Sequence, residues 1–167
     1  MADPLILTLR LDDEAFATFD RLRQELFPDR GYTLPAHLTL FHALPGDRLD
    51  EIDARLADLA EHTARFPLEV TRVLDFNPGA AFRIDSDRLR SLRKSLARDW
   101  DAHLTAQDRH FNPHVTVQNK VPKAESAYAA LAAAFQPYTI TATGLLLWHY
   151  RGGPWERARD YRFGGIE

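Results

Sequence analysis

Two short segments of the sequence carry the same pattern of a histidine, an apolar residue, a threonine and a second apolar residue. The segments are His37-Leu38-Thr39-Leu40 and His114-Val115-Thr116-Val117. Successive side chains of a β-strand point to opposite faces. Each segment therefore predicts a strand with an imidazole and a hydroxyl on one face and two aliphatic side chains on the other. Core packing explains the aliphatic side chains but not the recurrence of His and Thr at the same two positions.

Two imidazoles and two hydroxyls in one cleft are suited to displacement at a phosphodiester. Imidazole titrates near pH ~6.5, so one ring can accept a proton from an attacking hydroxyl or water while the other donates one to the leaving oxygen. Threonine hydroxyls can donate to the non-bridging phosphate oxygens, where negative charge is held in the transition state. RNA-type esters suit this chemistry best, because the 2′-hydroxyl offers an internal nucleophile or a 2′,3′-cyclic ester.

The hydrophobic pattern predicts seven strands and four helices that position these motifs. The strands are predicted at residues 5–11, 36–44, 68–76, 80–85, 114–121, 139–150 and 155–163. Asp12 and Ser86 are predicted N-caps of the first and third helices. Apolar residues at helical spacing from Leu49 indicate the second helix. A fourth helix is predicted from Pro122, a residue tolerated in a first helical turn, to Pro137.

The order of predicted elements suggests an internal duplication. An offset of 77 residues places Leu5 on Phe82 and His37 on His114. We therefore predict a single domain over residues 1–167, made of two repeat-related lobes at about 1–79 and 80–167. Duplicated halves often face each other across a pseudo-two-fold axis, so the cleft between them is where the chemistry is expected.

The paired motifs, their separation and the order of elements resemble the 2H phosphoesterase superfamily, in particular its bacterial 2′-5′ RNA ligase and cyclic phosphodiesterase branch. The resemblance covers essentially the whole chain. It implies an α+β fold of two pseudo-symmetric lobes, with antiparallel sheets lining a central cleft and helices outside. The alternation of strands and helices alone favours a parallel sheet instead. The resemblance also implies that His37 and His114 are the general acid and base, and that Thr39 and Thr116 bind phosphate.

The sequence departs from the ligase branch directly after each motif. There the first motif usually continues with a basic residue, Phe, Leu and Gly, whereas this chain has Phe41-His42-Ala43-Leu44. The second motif usually has an Arg five positions after its His, whereas this chain has Asn119 followed by Lys120. Missing cations weaken the hold on a long phosphate backbone but leave the acid–base pair in place. The pattern therefore favours phosphodiester hydrolysis over RNA ligation.

Weaker candidates lie around the motifs. Phe41 shares the strand parity of His37 and is a candidate to stack on a base. Lys120 has the parity of His114 and is a candidate phosphate contact. Tyr32 and Arg151 are further candidates to approach a phosphate. Three aromatic residues of the last predicted hairpin are candidate cleft walls, although packing is their more usual role: Trp148, Tyr150 and Trp155.

The composition is that of one globular domain: 167 residues, 45% apolar, 27% charged, with a formal net charge of -3. Disordered, collagen-like and coiled-coil classes are excluded. The net charge argues against a protein that coats nucleic acid by bulk attraction. No apolar run approaches the ~20 residues of a membrane span, no secretory signal is recognised, and there is no cysteine for disulfides or thiol chemistry. We expect a cytoplasmic monomer that does not bind membranes and needs no cofactor.

Metal hydrolysis is the first alternative mechanism, because His110 and His114 lie four residues apart. Asn112-Pro113 between them argues against a helix, and no paired-carboxylate or HExxH motif is present. We therefore expect a metal-independent phosphodiesterase acting on nucleotides or short RNAs with a 2′,3′-cyclic phosphate or a 2′-5′ linkage. Two alternatives stay open: a non-catalytic module that binds RNA ends or nucleotides, and a phosphodiesterase for a small cyclic phosphate.

Overall fold

The computed structural model describes residues 2–28 and 34–165, which form seven strands and four α-helices. The strands are β1 (Leu5–Leu11), β2 (Leu38–Leu44), β3 (Phe66–Asp75), β4 (Ala80–Asp85), β5 (His114–Gln118), β6 (Tyr138–His149) and β7 (Glu156–Arg162). The helices are α1 (Asp13–Leu26), α2 (Leu49–Glu61), α3 (Asp87–Asp99) and α4 (Tyr128–Ala134).

The two long helices that follow β1 and β4 begin at the caps the sequence predicts. The Asp12 carboxylate accepts a hydrogen bond from the Ala15 N–H at 2.9 Å, and the Ser86 hydroxyl accepts one from the Leu89 N–H at 3.1 Å. Each cap satisfies one of the backbone donors left free at a helix start. The fourth helix begins later than predicted, because Pro122 leads into a short 3₁₀ turn and α4 starts only at Tyr128.

All strand pairs are antiparallel and belong to one sheet with the order β2-β1-β6-β3-β4-β5, in which β7 also pairs with β6. The antiparallel α+β prediction is therefore confirmed, and the parallel sheet suggested by element order alone is wrong. Residues 144–149 of β6 lie between β1 and β7, whereas residues 138–142 pair with β3. We call β2, β1, β7 and the end of β6 the first lobe, and β3, β4, β5 and the start of β6 the second lobe.

The core is shared between the two lobes. Helix α1 packs against β5 of the second lobe, and its Phe19 contacts Phe82 of the neighbouring strand β4 with ring centroids 5.4 Å apart. After helix α3, Trp100 meets Phe41 of β2 in the first lobe with ring centroids 5.3 Å apart. Each of these helices thus follows a strand of one lobe and covers the motif strand of the other.

The division into repeat-related lobes at about residues 1–79 and 80–167 stays a prediction. The strand pairing joins the two predicted units, because β6 of the second unit pairs with β1 of the first and β3 of the first pairs with β4 of the second. Within residues 2–28 and 34–165, no helix combines the length and the apolar composition that crossing a membrane requires.

Candidate active site

A β-bulge ends each of the two motifs. Thr39 pairs with Thr8 and Phe41 with Leu7, so Leu40 is an extra residue in β2. In β5, Thr116 and Gln118 pair with neighbouring residues of β4, so Val117 is extra in the same way. A bulge places two residues opposite one and changes which face the following side chains occupy. In both motif strands, His and Thr therefore remain on the cleft face. The residue that follows the bulge is turned into the core.

The two motif histidines are oriented by the same backbone contact. Nδ1 of His37 lies 2.8 Å from the carbonyl oxygen of Pro35, and Nδ1 of His114 lies 2.7 Å from that of Asn112. A carbonyl can only accept, so each Nδ1 carries the hydrogen and donates it. In the neutral rings Nε2 is then the basic nitrogen, and it is the atom left for a substrate.

The four motif side chains line one cleft of about 620 Å³. Neither threonine hydroxyl has a side-chain hydrogen bond to another residue of the described chain. None of the cleft-lining residues in the described part is Asp, Glu, Lys or Arg, so its ionisable groups are imidazoles. The other lining residues are Leu40, His42, Gln107, His110, Phe111, Asn112 and Trp155.

His37 is half-buried beneath Trp155, whose ring centroid lies 4.5 Å from that of the imidazole. Burial lowers the pKa of His37 from 6.5 to about 4, against the opposing effect of its hydrogen bond to Pro35. The positive guanidinium of Arg23 and the neighbouring imidazoles act in the same direction as burial and contribute to this lowered pKa. The His37 ring is therefore neutral at pH 7 and able to accept a proton.

Two buried arginines are hydrogen-bonded to the backbone of the motif strands. Arg23 of α1 donates to the carbonyl of Thr116 at 2.7 Å and to that of Leu34 at 2.9 Å. Arg93 of α3 donates to the carbonyl of Leu40 at 3.0 Å and also to that of Asp108. Burial lowers the pKa of Arg23 to about 10, so it stays charged at neutral pH. Neither arginine is marked by a local sequence pattern, since each acts on a segment distant along the chain.

The predicted stacking role of Phe41 is wrong. Its side chain is fully buried, and the guanidinium carbon of Arg93 lies 4.0 Å from its ring centroid. The parity prediction assumed regular alternation through β2, but the bulge at Leu40 turns Phe41 into the core. Lys120 also departs from its predicted parity. Strand β5 ends at Gln118, and Lys120 is an exposed residue with φ of +58° that is absent from the described cleft lining.

A third cleft histidine, His42, is held by a buried carboxylate that the sequence did not reveal. Its Nδ1 lies 3.0 Å from Oδ1 of Asp108, which also accepts the His42 N–H at 2.8 Å. The Ala43 N–H donates to Oδ2 at 2.9 Å. Burial raises the pKa of Asp108, but its hydrogen bonds to His42 and Ala43 outweigh burial and lower it overall. Asp108 lies 66 residues from His42, and no local motif connects the two.

The remaining candidates are distributed around the cleft. Tyr32 lies outside the described residues. Arg151 is exposed on the loop between β6 and β7, where it pairs with Asp3 and Glu156. Trp155 lines the cleft. His110 lines it too, but the described residues contain no group of three or more His, Cys, Asp or Glu side chains arranged to hold a metal ion.

The fold is that of the 2H phosphoesterases. A family model described as the 2′-5′ RNA ligase superfamily matches residues 11–154, and the chain belongs to that superfamily. No curated protein matches the chain in sequence.

Solved structures share the fold at low sequence identity. The protein TT0787 of Thermus thermophilus is 19% identical, with a TM-score of 0.70 over 98% of this chain and 100% of its own. E. coli LigT complexed with NADP+ is 16% identical, with a TM-score of 0.63 over 98% of this chain and 99% of its own. LigT complexed with 3′-AMP is 15% identical, with a TM-score of 0.62 over the same shares.

Proposed function

We propose that this protein is a metal-independent phosphodiesterase that opens 2′,3′-cyclic phosphates or cleaves 2′-5′ linkages with two histidines. The observation that carries the proposal is the common cleft of His37, Thr39, His114 and Thr116. The matching Nδ1 contacts of the two histidines leave Nε2 of each for the reacting groups. Membership of the 2′-5′ RNA ligase superfamily supports phosphoesterase chemistry, and the nucleotide complexes of LigT support a nucleotide substrate.

In this mechanism His37 is the general base and His114 the general acid for hydrolysis of a 2′,3′-cyclic phosphate. A water oxygen attacks phosphorus, and Nε2 of the neutral His37 accepts the water proton as the new P–O bond forms. The bond from phosphorus to one ribose oxygen breaks on the opposite side. Protonated His114 donates its Nε2 hydrogen to that oxygen, giving a phosphomonoester and a free hydroxyl. Proton exchange with solvent then restores both rings.

The same groups cleave a 2′-5′ linkage by internal attack. The 3′-hydroxyl next to the linkage attacks phosphorus and gives its proton to His37. The bond to the 5′ oxygen breaks, and that oxygen takes the proton of His114. The product is the 2′,3′-cyclic phosphate that the hydrolytic reaction opens.

Thr39 and Thr116 are suited to hold the phosphate between the two rings. Each lies two residues after its histidine on the same strand face, and each hydroxyl is without a side-chain partner in the described chain. Donors aimed at oxygens that gain negative charge stabilise the transition state more than the ground state. The two threonines therefore supply the stabilisation that a cation supplies in other phosphodiesterases.

The experiment that tests the function is a substrate panel assayed in excess chelator. We expect turnover of at least one member among 2′,3′-cyclic nucleotides, 2′-5′ dinucleotides and short RNAs with a cyclic phosphate end. Binding of these compounds without turnover overturns the enzymatic proposal in favour of a binding module. Activity that is lost in chelator and restored by zinc overturns the metal-independent mechanism.

A further inference from the structure

A second pocket of about 230 Å³ lies between α1 and the sheet of the first lobe. One wall is formed by Phe16 of α1 with Pro35 and Ala36, and the other by Arg10, Trp148 and Arg157 of the sheet. Ala36 directly precedes His37, and the Pro35 carbonyl holds its ring. The pocket therefore begins at the same short segment that positions His37.

Aromatic rings connect His37 to this pocket. The His37 ring centroid lies 4.5 Å from that of Trp155, which lies 6.0 Å from that of Trp148. The guanidinium carbon of Arg157 lies 5.2 Å from the Trp148 centroid. At the mouth of the pocket Phe16 is 38% exposed, a large apolar side chain left in contact with solvent. A ring bound there would lie between aromatic side chains.

The sheet face beside the pocket carries more positive than negative charge. The strand pairing places Arg10, Arg157, Arg162 and Asp160 on the face that also bears Thr39. Asp160 lies within 3.7 to 3.9 Å of all three arginines. One carboxylate cannot neutralise three guanidinium groups. Among the described residues, the exposed Asp13 adds one further contact, to Arg10 at 4.0 Å. Positive charge therefore remains for an anionic ligand.

The corresponding positions of the second lobe carry acidic residues. Residues 77 positions after Thr8 and Arg10 are Asp85 and Asp87. Asp85 accepts hydrogen bonds from Thr71 at 2.6 Å and from Arg83 at 3.2 Å. Its charge is satisfied within the protein, and hydrogen bonding to Thr71 lowers its pKa. The sheet face beside the cleft is therefore basic on the first lobe, whereas the matching positions on the second lobe are acidic.

We infer that the pocket between Phe16 and Trp148 is a nucleobase subsite, and that Arg157 and Arg10 contact a phosphate of the same nucleotide. This inference rests on the proposed function and specifies its substrate class: an oligonucleotide of at least two residues, one of them seated on the first lobe. The volume lies below the ~300–1,000 Å³ of sites for whole small molecules, which fits a single ring system. Aromatic side chains beside arginines are the usual surface for single-stranded nucleic acid.

The test compares two substrates across matched variants. The substrates are a 5′-phosphorylated 2′-5′ dinucleotide and a 2′,3′-cyclic mononucleotide. Phe16→Ala and Arg157→Gln are expected to raise KM for the dinucleotide roughly five-fold or more, the loss expected for one base stack. KM for the mononucleotide stays unchanged. Tyr138→Ala removes an equally exposed aromatic ring, 39% exposed, from the second-lobe part of β6, and Arg72→Gln removes an exposed arginine of β3. Both control variants keep wild-type values.

The outcomes separate the subsite from the function. If Phe16→Ala and Arg157→Gln leave the turnover of both substrates unchanged, the subsite proposal is overturned and the phosphodiesterase function stands. An equal loss on both substrates also overturns it, because the pocket is then structural. If no phosphodiester is turned over, the function fails and the dinucleotide is titrated instead, with tryptophan fluorescence as the readout. Weaker binding by Phe16→Ala, with binding by Tyr138→Ala unchanged, supports the subsite. Equal affinity of the two variants for the dinucleotide overturns it.

Discussion

His37 and His114 occupy matching positions at the starts of two motif segments, His37 directly before β2 and His114 at the first residue of β5, yet their surroundings differ. The same Nδ1 contact to a carbonyl two residues earlier orients both rings. His37 packs under Trp155 from the β6–β7 loop, whereas His114 meets the edge of the exposed Phe76 at a centroid distance of 6.0 Å. The local backbone thus determines where each ring nitrogen points, and residues distant in sequence determine its environment. A repeated motif can in this way supply two groups for unlike roles.

Removing either ring is expected to give the largest effect on activity. His37→Ala and His114→Ala each delete one proton-transfer group, which typically costs about 10²- to 10⁴-fold in kcat. Steady-state kinetics on the best substrate of the panel measures the loss, with thermal unfolding to verify the fold. The matched control is His103→Ala, since His103 is an exposed residue of a short 3₁₀ turn. Wild-type turnover in either active-site variant would contradict the assignment.

The threonine pair tests whether both motifs hold the same phosphate. Thr39→Val and Thr116→Val keep the β-branched shape but remove the donor, and each is expected to lower kcat up to about 10²-fold. Thr→Ser at either position keeps the hydroxyl and should restore most of the rate. If valine at one position is harmless and at the other damaging, only one motif contacts the phosphate.

The lowered pKa of His37 predicts a pH-dependent stability. Between pH 6.5 and about 4 the unfolded chain binds a proton at His37 that the folded chain excludes, so the free energy of unfolding falls as pH falls. The lowering of the pKa from 6.5 to about 4 corresponds to a loss of up to about 3 kcal/mol at pH 4.

Urea unfolding at pH 7 and pH 4 measures this loss in wild type, in His37→Ala and in the non-titrating control Thr39→Val. The decrease should be smaller in His37→Ala and unchanged in Thr39→Val. Identical decreases in all three proteins would show that burial of His37 does not govern the acid sensitivity.

Replacing Trp155 should give the smallest effect and sharpen the comparison of the two rings. Trp155→Ala uncovers His37, so the pKa of His37 should rise toward its ordinary value of 6.5. A general base works unprotonated, and the acidic limb of the pH–rate profile should therefore move to higher pH. Tyr138→Ala serves as the control, because Tyr138 is an exposed aromatic residue at the start of β6 in the second lobe. An unmoved acidic limb would mean that Trp155 does not shield the base.

Much of the fold was predictable because local signals determine it. Alternating apolar residues and the turn at residues 77–79 gave the bounds of β1 and β4 as observed. Strand β5 was predicted to reach residue 121 but ends at Gln118, since the bulge at Val117 and the left-handed conformation of Lys120 interrupt it. A bulge adds one residue without any change in the apolar pattern, so parity arguments fail beyond it.

The four motif side chains of the candidate site could be predicted, but their supporting residues could not. His37, Thr39, His114 and Thr116 follow from a pattern of four residues that occurs twice. Arg23 contacts a carbonyl 93 residues away, and the other supporting contacts likewise depend on tertiary structure. These contacts exist because helices α1 and α3 cover strands of the opposite lobe. The pattern of a single sequence does not show which helix covers which strand.

The position of β6 has a consequence for synthesis of the chain. This strand lies at the centre of the sheet, between β1 on one edge and β3 and β7 on the other. A nascent polypeptide that stops before Tyr138 holds both histidine motifs but lacks the strand that joins them. Pairings of such large sequence separation form late and slowly. A chain cut before Tyr138 would therefore retain its reactive groups without the strand that pairs with both β1 and β3.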